Sequence, residues 1–339
     1  MRRTLVAGSV AAWLVLAAVM LPVSVAQSTI FQGTPTPDPD DQTQVMAQLR
    51  ADYPRVDGST SAYPLQMTIA CHVYAVPCSW QENPFAEDYY GPAFDADITP
   101  ELLDRLWGIV HSGTHGSYMN LIAGDADIIL VAREPSGDEL TAAADLGVDL
   151  DVRPVALDAF VFLLHVDNPI DYLTLDTIRA IYTGEMTTWA GAGMYQPGLD
   201  ALINPYQRNP NSGSQELMLR LVMGDLSMIN APDMILPGMM GPINVVGDDP
   251  YGVGYSVYFY AVHINAHPNI KLAGIEGVRP TPKTIADWTY PLTTEVYVVV
   301  RDDMPPDSTT VLLRDWLLTE EGQAVVASSG YVAILPKED

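Results

Sequence analysis

The chain has 339 residues, 48% of them hydrophobic, and a formal net charge of −26 at pH 7. That length and apolar content support two domains of ordinary size and exclude a disordered chain. The acid excess excludes general affinity for nucleic acid or anionic lipid, both of which need clustered cations. A small anion would have to be held by local, buried donors.

The first residues have the pattern of a secretory signal. Arg2 and Arg3 precede an apolar run, and Ser24-Val25-Ala26 ends in the small-x-small motif cleaved by signal peptidase. Cleavage would start the mature chain at Gln27, and the alternative is an uncleaved anchor over Thr4–Ala26. No cysteine follows the run, so a lipid anchor is not indicated. From Gln27 to Gln48, "QSTIFQGTPTPDPDDQTQVMAQ" has little to bury and is expected to be a flexible tether.

Beyond it, strand-like and helix-like segments alternate, which argues for α/β architecture. "DGSTSAYPLQM" places Gly58-Ser59-Thr60-Ser61 ahead of a helix with Pro64 near its start. Cys71 and Cys78 can form one local disulfide, provided the intervening helix ends between them. Thr99-Pro100 opens a helix with Leu102, Leu103, Leu106, Trp107 and Val110 expected on its inner face. "HSGTHGSYMN" then places Ser112-Gly113-Thr114-His115-Gly116 ahead of a further helix. The β-rich runs at 126–132, 158–166 and 294–300 are expected as buried strands. Thr174 caps a helix with Leu175, Ile178, Ile181 and Tyr182 inward and Gly184 as its stop. The C-terminal part predicts two consecutive helices, the second capped by Thr319 and ended near Gly330.

The chemistry concentrates in "RNPNSGSQ", residues 208–215. Ser212 followed by Gln215 is a capping-box pattern, which puts Ser212, Gly213 and Ser214 at a helix N-terminus whose free N–H groups form an anion cradle. Arg208 supplies a forked, charged donor. Taken alone, Ser212 reads as an ordinary cap and Arg208 as the partner of a surface acid. Three hydroxyl-and-glycine turns, each leading into a helix, favour convergence on one oxyanion.

These turns resemble those of the PstS-like substrate-binding proteins of phosphate ABC transporters. The resemblance runs from about Tyr53 to the end and includes "LTLDTIRAIYTGEMTTW" (173–189), "GVGYSVYFY" (252–260), "YPLTTEVYVVV" (290–300) and "LLRDWLLTEEGQAVVASSGYVAI" (312–334). It implies a two-lobed α/β fold of the type II periplasmic-binding-protein kind, with a ligand cleft between lobes at 49–156 plus 291–339 and 157–290. Two hinge strands would cross near Pro154–Phe160 and Tyr290–Tyr297. It also implies capture of inorganic phosphate or a similar tetrahedral oxyanion outside the cytoplasmic membrane, for a permease in that membrane, by a monomer without cofactor or reaction. Arg208, Ser212, Gly213 and Ser214 match the family's arginine and anion turn; Thr60, with Gly58, Ser59 and Ser61, matches the first turn; Thr114, with Gly113, matches the second. His115 is a further candidate donor.

The chain departs from the pattern after the strand beginning at Asp127. Phosphate binders commonly carry an aspartate there to accept the ligand's proton, whereas this chain reads Ala132-Arg133-Glu134-Pro135. Either Glu134 takes that role or Arg133 replaces it, and Asp57 is another possible acceptor. Donors alone would favour sulfate or molybdate, and an acceptor would admit hydrogen phosphate. A non-transport anion sensor of the same fold is the alternative function.

Other signals are weaker. His111 with His115, and His263 with His267, have i, i+4 spacing but no third ligand at a recognisable spacing. The serine turns include neither G-x-S-x-G nor S-x-x-K, so a hydrolase is disfavoured. The aromatic run at 251–260 is expected as strand core.

Overall fold

The computed structural model describes residues 39–82, 90–94, 97–191, 201–210 and 212–334. The signal or anchor expected over 1–26 and most of the tether lie outside them. The end of the tether is corrected: Pro39–Ala51 is a helix. Met46 and Leu49, one turn apart, are buried in the main core, so this segment has an apolar stripe to bury after all. None of the described helices is long and apolar enough to cross a membrane.

A seven-stranded mixed sheet organises the chain. Leu150–His165, its longest strand, joins two halves of that sheet. Residues 150–159 pair antiparallel with Thr293–Arg301, whose other edge pairs antiparallel with Ile128–Val131. The latter runs parallel to Val56–Gly58. Residues 160–164 pair instead with Gly252–Val257, which runs parallel to Asn204–Pro205, and residues 163–165 also pair with Ile270–Leu272. The two segments expected as crossings therefore lie side by side, and a register shift falls between Val296 and Tyr297. Strands buried on both faces read as unbroken apolar runs, as Val155–Leu164 does apart from the acid Asp158.

Local signals locate most helices. Thr174 Oγ1 accepts from Thr177 N at 3.0 Å, Ile178, Ile181 and Tyr182 are buried, and Gly184 ends the helix at φ +83°. Ser308 and Thr319 cap the two C-terminal helices, Thr309–Leu317 and Glu320–Ser329. Thr99 caps Pro100–Trp107 as expected, but only Leu106 of the predicted inner face is buried. That helix stops at Gly108, so the chain turns Ile109 inward and leaves Val110 exposed, while Trp107 meets Phe94 edge-on at the surface. Cys71 and Cys78 are disulfide-bonded, since the helix Tyr63–Tyr74 ends in left-handed Ala75 between them. The aromatic run expected as strand core is only partly so: Tyr255 lies in the strand Gly252–Val257, Tyr258, Phe259 and Tyr260 are core residues of the helical segment that follows, and Tyr251 is exposed.

Candidate functional site

The first turn leaves the strand Val56–Gly58, where the backbone passes so close to its neighbour that only glycine fits. A Cβ on Gly58 would lie 2.2 Å from Leu130 O and 1.9 Å from Gln66 Nε2. Ser59 N donates to Leu130 O (2.9 Å), and Ser59 Oγ accepts from Ala132 N (3.1 Å). A 3-10 turn, Thr60–Ala62, then feeds the helix Tyr63–Tyr74.

The second turn hangs from the first. Buried Asp57 accepts from Gly58 N (2.7 Å), Ser112 N (2.8 Å) and Asn120 Nδ2 (2.7 Å), which ties both turns to one carboxylate. Gly113, at φ +82°, swings the chain into the helix Thr114–Ala123, and Thr114 Oγ1 lies 2.7 Å from Ser59 Oγ.

The third turn begins at buried Arg208. Ser212 caps Gly213–Leu217, which continues as a π-helix, Met218–Met223. Ser212 Oγ accepts from Gln215 N at 3.1 Å, so half of the expected capping box forms. The reciprocal half does not. Gln215 turns back to accept from Arg208 N (3.2 Å) and from the Tyr255 hydroxyl, and thereby braces the arginine's backbone. Gly213 closes on the second turn, since a Cβ there would stand 3.0 Å from Thr114 Oγ1.

The three turns meet around a cavity of about 200 Å³. Ser59, Thr60 and Ser61, then Gly113 and Thr114, and finally Arg208, Ser212, Gly213 and Ser214 line it. Gly58 lies behind it as the close-approach residue. Asn209, Gly238, Met239 and Val257 also line it and were not singled out from the sequence. Asn209, beside Arg208, was legible in principle; Gly238 and Met239 reach the cavity because Ile235–Leu236 pairs with Gln207–Arg208, a contact no local pattern signals.

Arg208 meets soft and neutral partners. Its Nη1 contacts Met239 Sδ (3.4 Å), its Nη2 the Asn209 Oδ1 (3.4 Å), and its Nε is buried without a hydrogen-bond partner. Among the described residues no carboxylate pairs with it. Burial pushes its pKa down to about 10.

The remaining predicted residues sit elsewhere. Arg133 is buried outside the cavity: Nη1 and Nη2 each donate to Glu139 at 2.8 Å, and Nε lies 2.5 Å from Glu216 Oε2. Glu134 is exposed and absent from the cavity wall. His115 directs Nδ1 to Glu139 (3.0 Å) and, with Arg133, lines a second cavity of about 590 Å³ that shares Gly113 and Thr114. His111 parts company with it, its Nδ1 lying 3.4 Å from Thr60 Oγ1. Asp57 is spent on the frame. The cavity itself can therefore offer rotatable hydroxyls, turn amides and one forked cation to a small anion.

A sequence profile of the PBP superfamily domain matches residues 80–320, and the chain belongs to that family. The chain is 26% identical over 236 residues to the phosphate-binding protein PstS of Staphylococcus saprophyticus, covering 67% of this chain and 71% of that protein. It is 25% identical over 249 residues to the phosphate-binding protein PstS of Staphylococcus aureus, covering 69% and 74%. The same two-lobed fold occurs in a Clostridium perfringens protein solved with bound phosphate, with a TM-score of 0.61, 22% identity, and coverage of 83% of this chain and 98% of that one. It also occurs in an ABC-type phosphate transport receptor from Vibrio cholerae, with a TM-score of 0.59, 21% identity, and coverage of 83% and 99%.

Proposed function

We propose that this chain captures inorganic phosphate, or a closely similar tetrahedral oxyanion, in the cavity between its three turns and delivers it to the membrane permease of an ABC transporter. The observation that carries the reading is Arg208, a buried cation facing a hydroxyl-lined cavity with no carboxylate among its partners in the described residues. A cation left in that state has its natural partner in a bound anion. The relatives named for phosphate binding support the choice of ligand.

Arg208 supplies charge; Ser59, Thr60, Ser61, Thr114, Ser212 and Ser214 supply hydroxyls; Gly113 and Gly213 let backbone amides approach. The lobes comprise 49–156 with 291–339, and 157–290, and the protein works as an exported monomer that assigns no reaction to its serines. Titration calorimetry on protein freed of ligand by unfolding and refolding tests this. Phosphate binding is expected, with a loss of at least about 100-fold, roughly 3 kcal/mol, in Arg208→Ala. Absence of phosphate binding, or full affinity in the variant, would overturn the assignment.

A further inference from the structure

Among the described residues, no carboxylate close to the cavity in sequence lines it. Asp57 accepts three hydrogen bonds that hold the first two turns together. Glu139 and Glu216 grip Arg133, and Glu134 is exposed and does not line the cavity. Among the described residues, the side chains that line the cavity are hydroxyls, the Asn209 amide, the Arg208 guanidinium and the apolar Met239 and Val257.

The chemistry of such a wall differs from that of a wall with an acid in it. A carboxylate only accepts, so it favours a protonated ligand oxygen and repels an unprotonated one, at a cost of several kcal/mol where the charges are desolvated. A serine or threonine hydroxyl rotates instead. It donates to a bare oxygen and accepts from a protonated one, and Asn209 carries both roles on one amide. Hydrogen phosphate and sulfate are both tetrahedral dianions and differ chiefly in that one proton.

We propose that this cavity selects its anion by charge and tetrahedral shape without reading protonation, so that sulfate and hydrogen phosphate compete for it on comparable terms. The inference rests on the oxyanion-capture reading above and narrows it. It also explains how Arg133 can stand beside the site without joining it: Glu139 and Glu216 neutralise it, and Arg208 remains the cation that faces the ligand.

The test is calorimetric titration of the purified, ligand-free protein with phosphate and with sulfate, at a pH where phosphate is dianionic, followed by displacement of one by the other. Dissociation constants within about thirtyfold of each other, roughly 2 kcal/mol, with mutual displacement, are expected. A larger preference for phosphate would overturn this inference and leave phosphate capture standing, because it would require an acceptor that penalises a bare oxygen. Binding of neither anion would overturn both readings together. Sulfate that binds without displacing phosphate would also overturn the inference, since it would lie outside this cavity.

Discussion

Arg133 and Glu216 meet at the wall of the second cavity: Nε of the arginine lies 2.5 Å from Oε2 of the glutamate. Arg133 follows the strand Ile128–Val131, and Glu216 lies on the helix that opens at the third turn. Burial opposes the guanidinium's charge, but Glu139 and Glu216 more than offset it and hold its pKa above the ordinary arginine value. Glu139 is wholly buried and also receives Ser136 N, so it fixes Arg133 in place for Glu216 to engage.

Glu216→Gln keeps the shape of that contact and removes its charge. Because Glu216 is about one-third exposed and Arg133 Nε makes no well-aligned hydrogen bond to it, the loss should be that of a partly screened ion pair, about 1 kcal/mol. Stopped-flow displacement of bound anion should show release accelerated about fivefold, and urea unfolding of the ligand-free protein should lose no more than the same amount, about 1 kcal/mol. Arg133→Met is expected to behave differently: it strands buried Glu139 and should cost about 3–5 kcal/mol in the same unfolding experiment.

Arg208 illustrates a conflict between stability and binding. Its pKa is lowered to about 10 by burial, so below that pH the folded chain carries a charge it holds less readily than the unfolded chain does. The penalty is complete at neutral pH and is relieved only as pH rises through about 10 towards the unfolded value. Arg208→Met should therefore raise the melting temperature of the ligand-free protein, by about 1–3 kcal/mol in stability. Added phosphate should raise the melting temperature of the wild type and leave the variant's unchanged. A ligand-free variant less stable than wild type would show that the arginine is structural.

Asp158, on the long strand, accepts from Ala159 N (2.8 Å) and Phe259 N (3.0 Å) deep in the core. Burial pushes its pKa up to about 7, against about 4 for an unfolded aspartate. Between those values the folded state keeps a proton that the unfolded state has lost. The contribution of Asp158 to stability therefore falls as pH rises from about 4 to about 7, by up to about 1.4 kcal/mol per pH unit, and is constant above. Denaturation of wild type and Asp158→Asn across that range should differ by this slope, since asparagine retains the acceptor oxygen but does not ionise.

The Cys71–Cys78 bridge closes a short loop between the helix Tyr63–Tyr74 and the strand Cys78–Glu82. Neither cysteine lines the cavity. Replacement of both by alanine should cost about 2 kcal/mol in denaturant unfolding and leave the dissociation constant for phosphate within about twofold.

The three turns were legible because their signals are local. Gly113 and Gly184 adopt the left-handed backbone that a glycine permits, and Thr99, Thr174, Ser212 and Thr319 accept from the third residue of their helices, all within a few positions of chain. Gln215 shows the limit of that reasoning. Its spacing from Ser212 is right for a reciprocal cap, yet the Tyr255 hydroxyl and Arg208 N, one of them 40 residues away, compete successfully for its side chain.

By itself, then, the sequence determined the alternation of buried strands and capped helices, and the placement of hydroxyls, glycines and one arginine at helix entrances. Steric limits on the backbone and hydrogen bonds between near neighbours act before any tertiary contact exists. Only the folded arrangement decided which of two arginines faces the cavity. Arg133 and Arg208 are alike as side chains, but Glu139 and Glu216 come within reach of the first, whereas Met239 and Asn209 meet the second. Whether a charge is paired or left for a ligand depends on which groups the fold brings within a few ångströms of it, where Coulomb energy in a desolvated site is large.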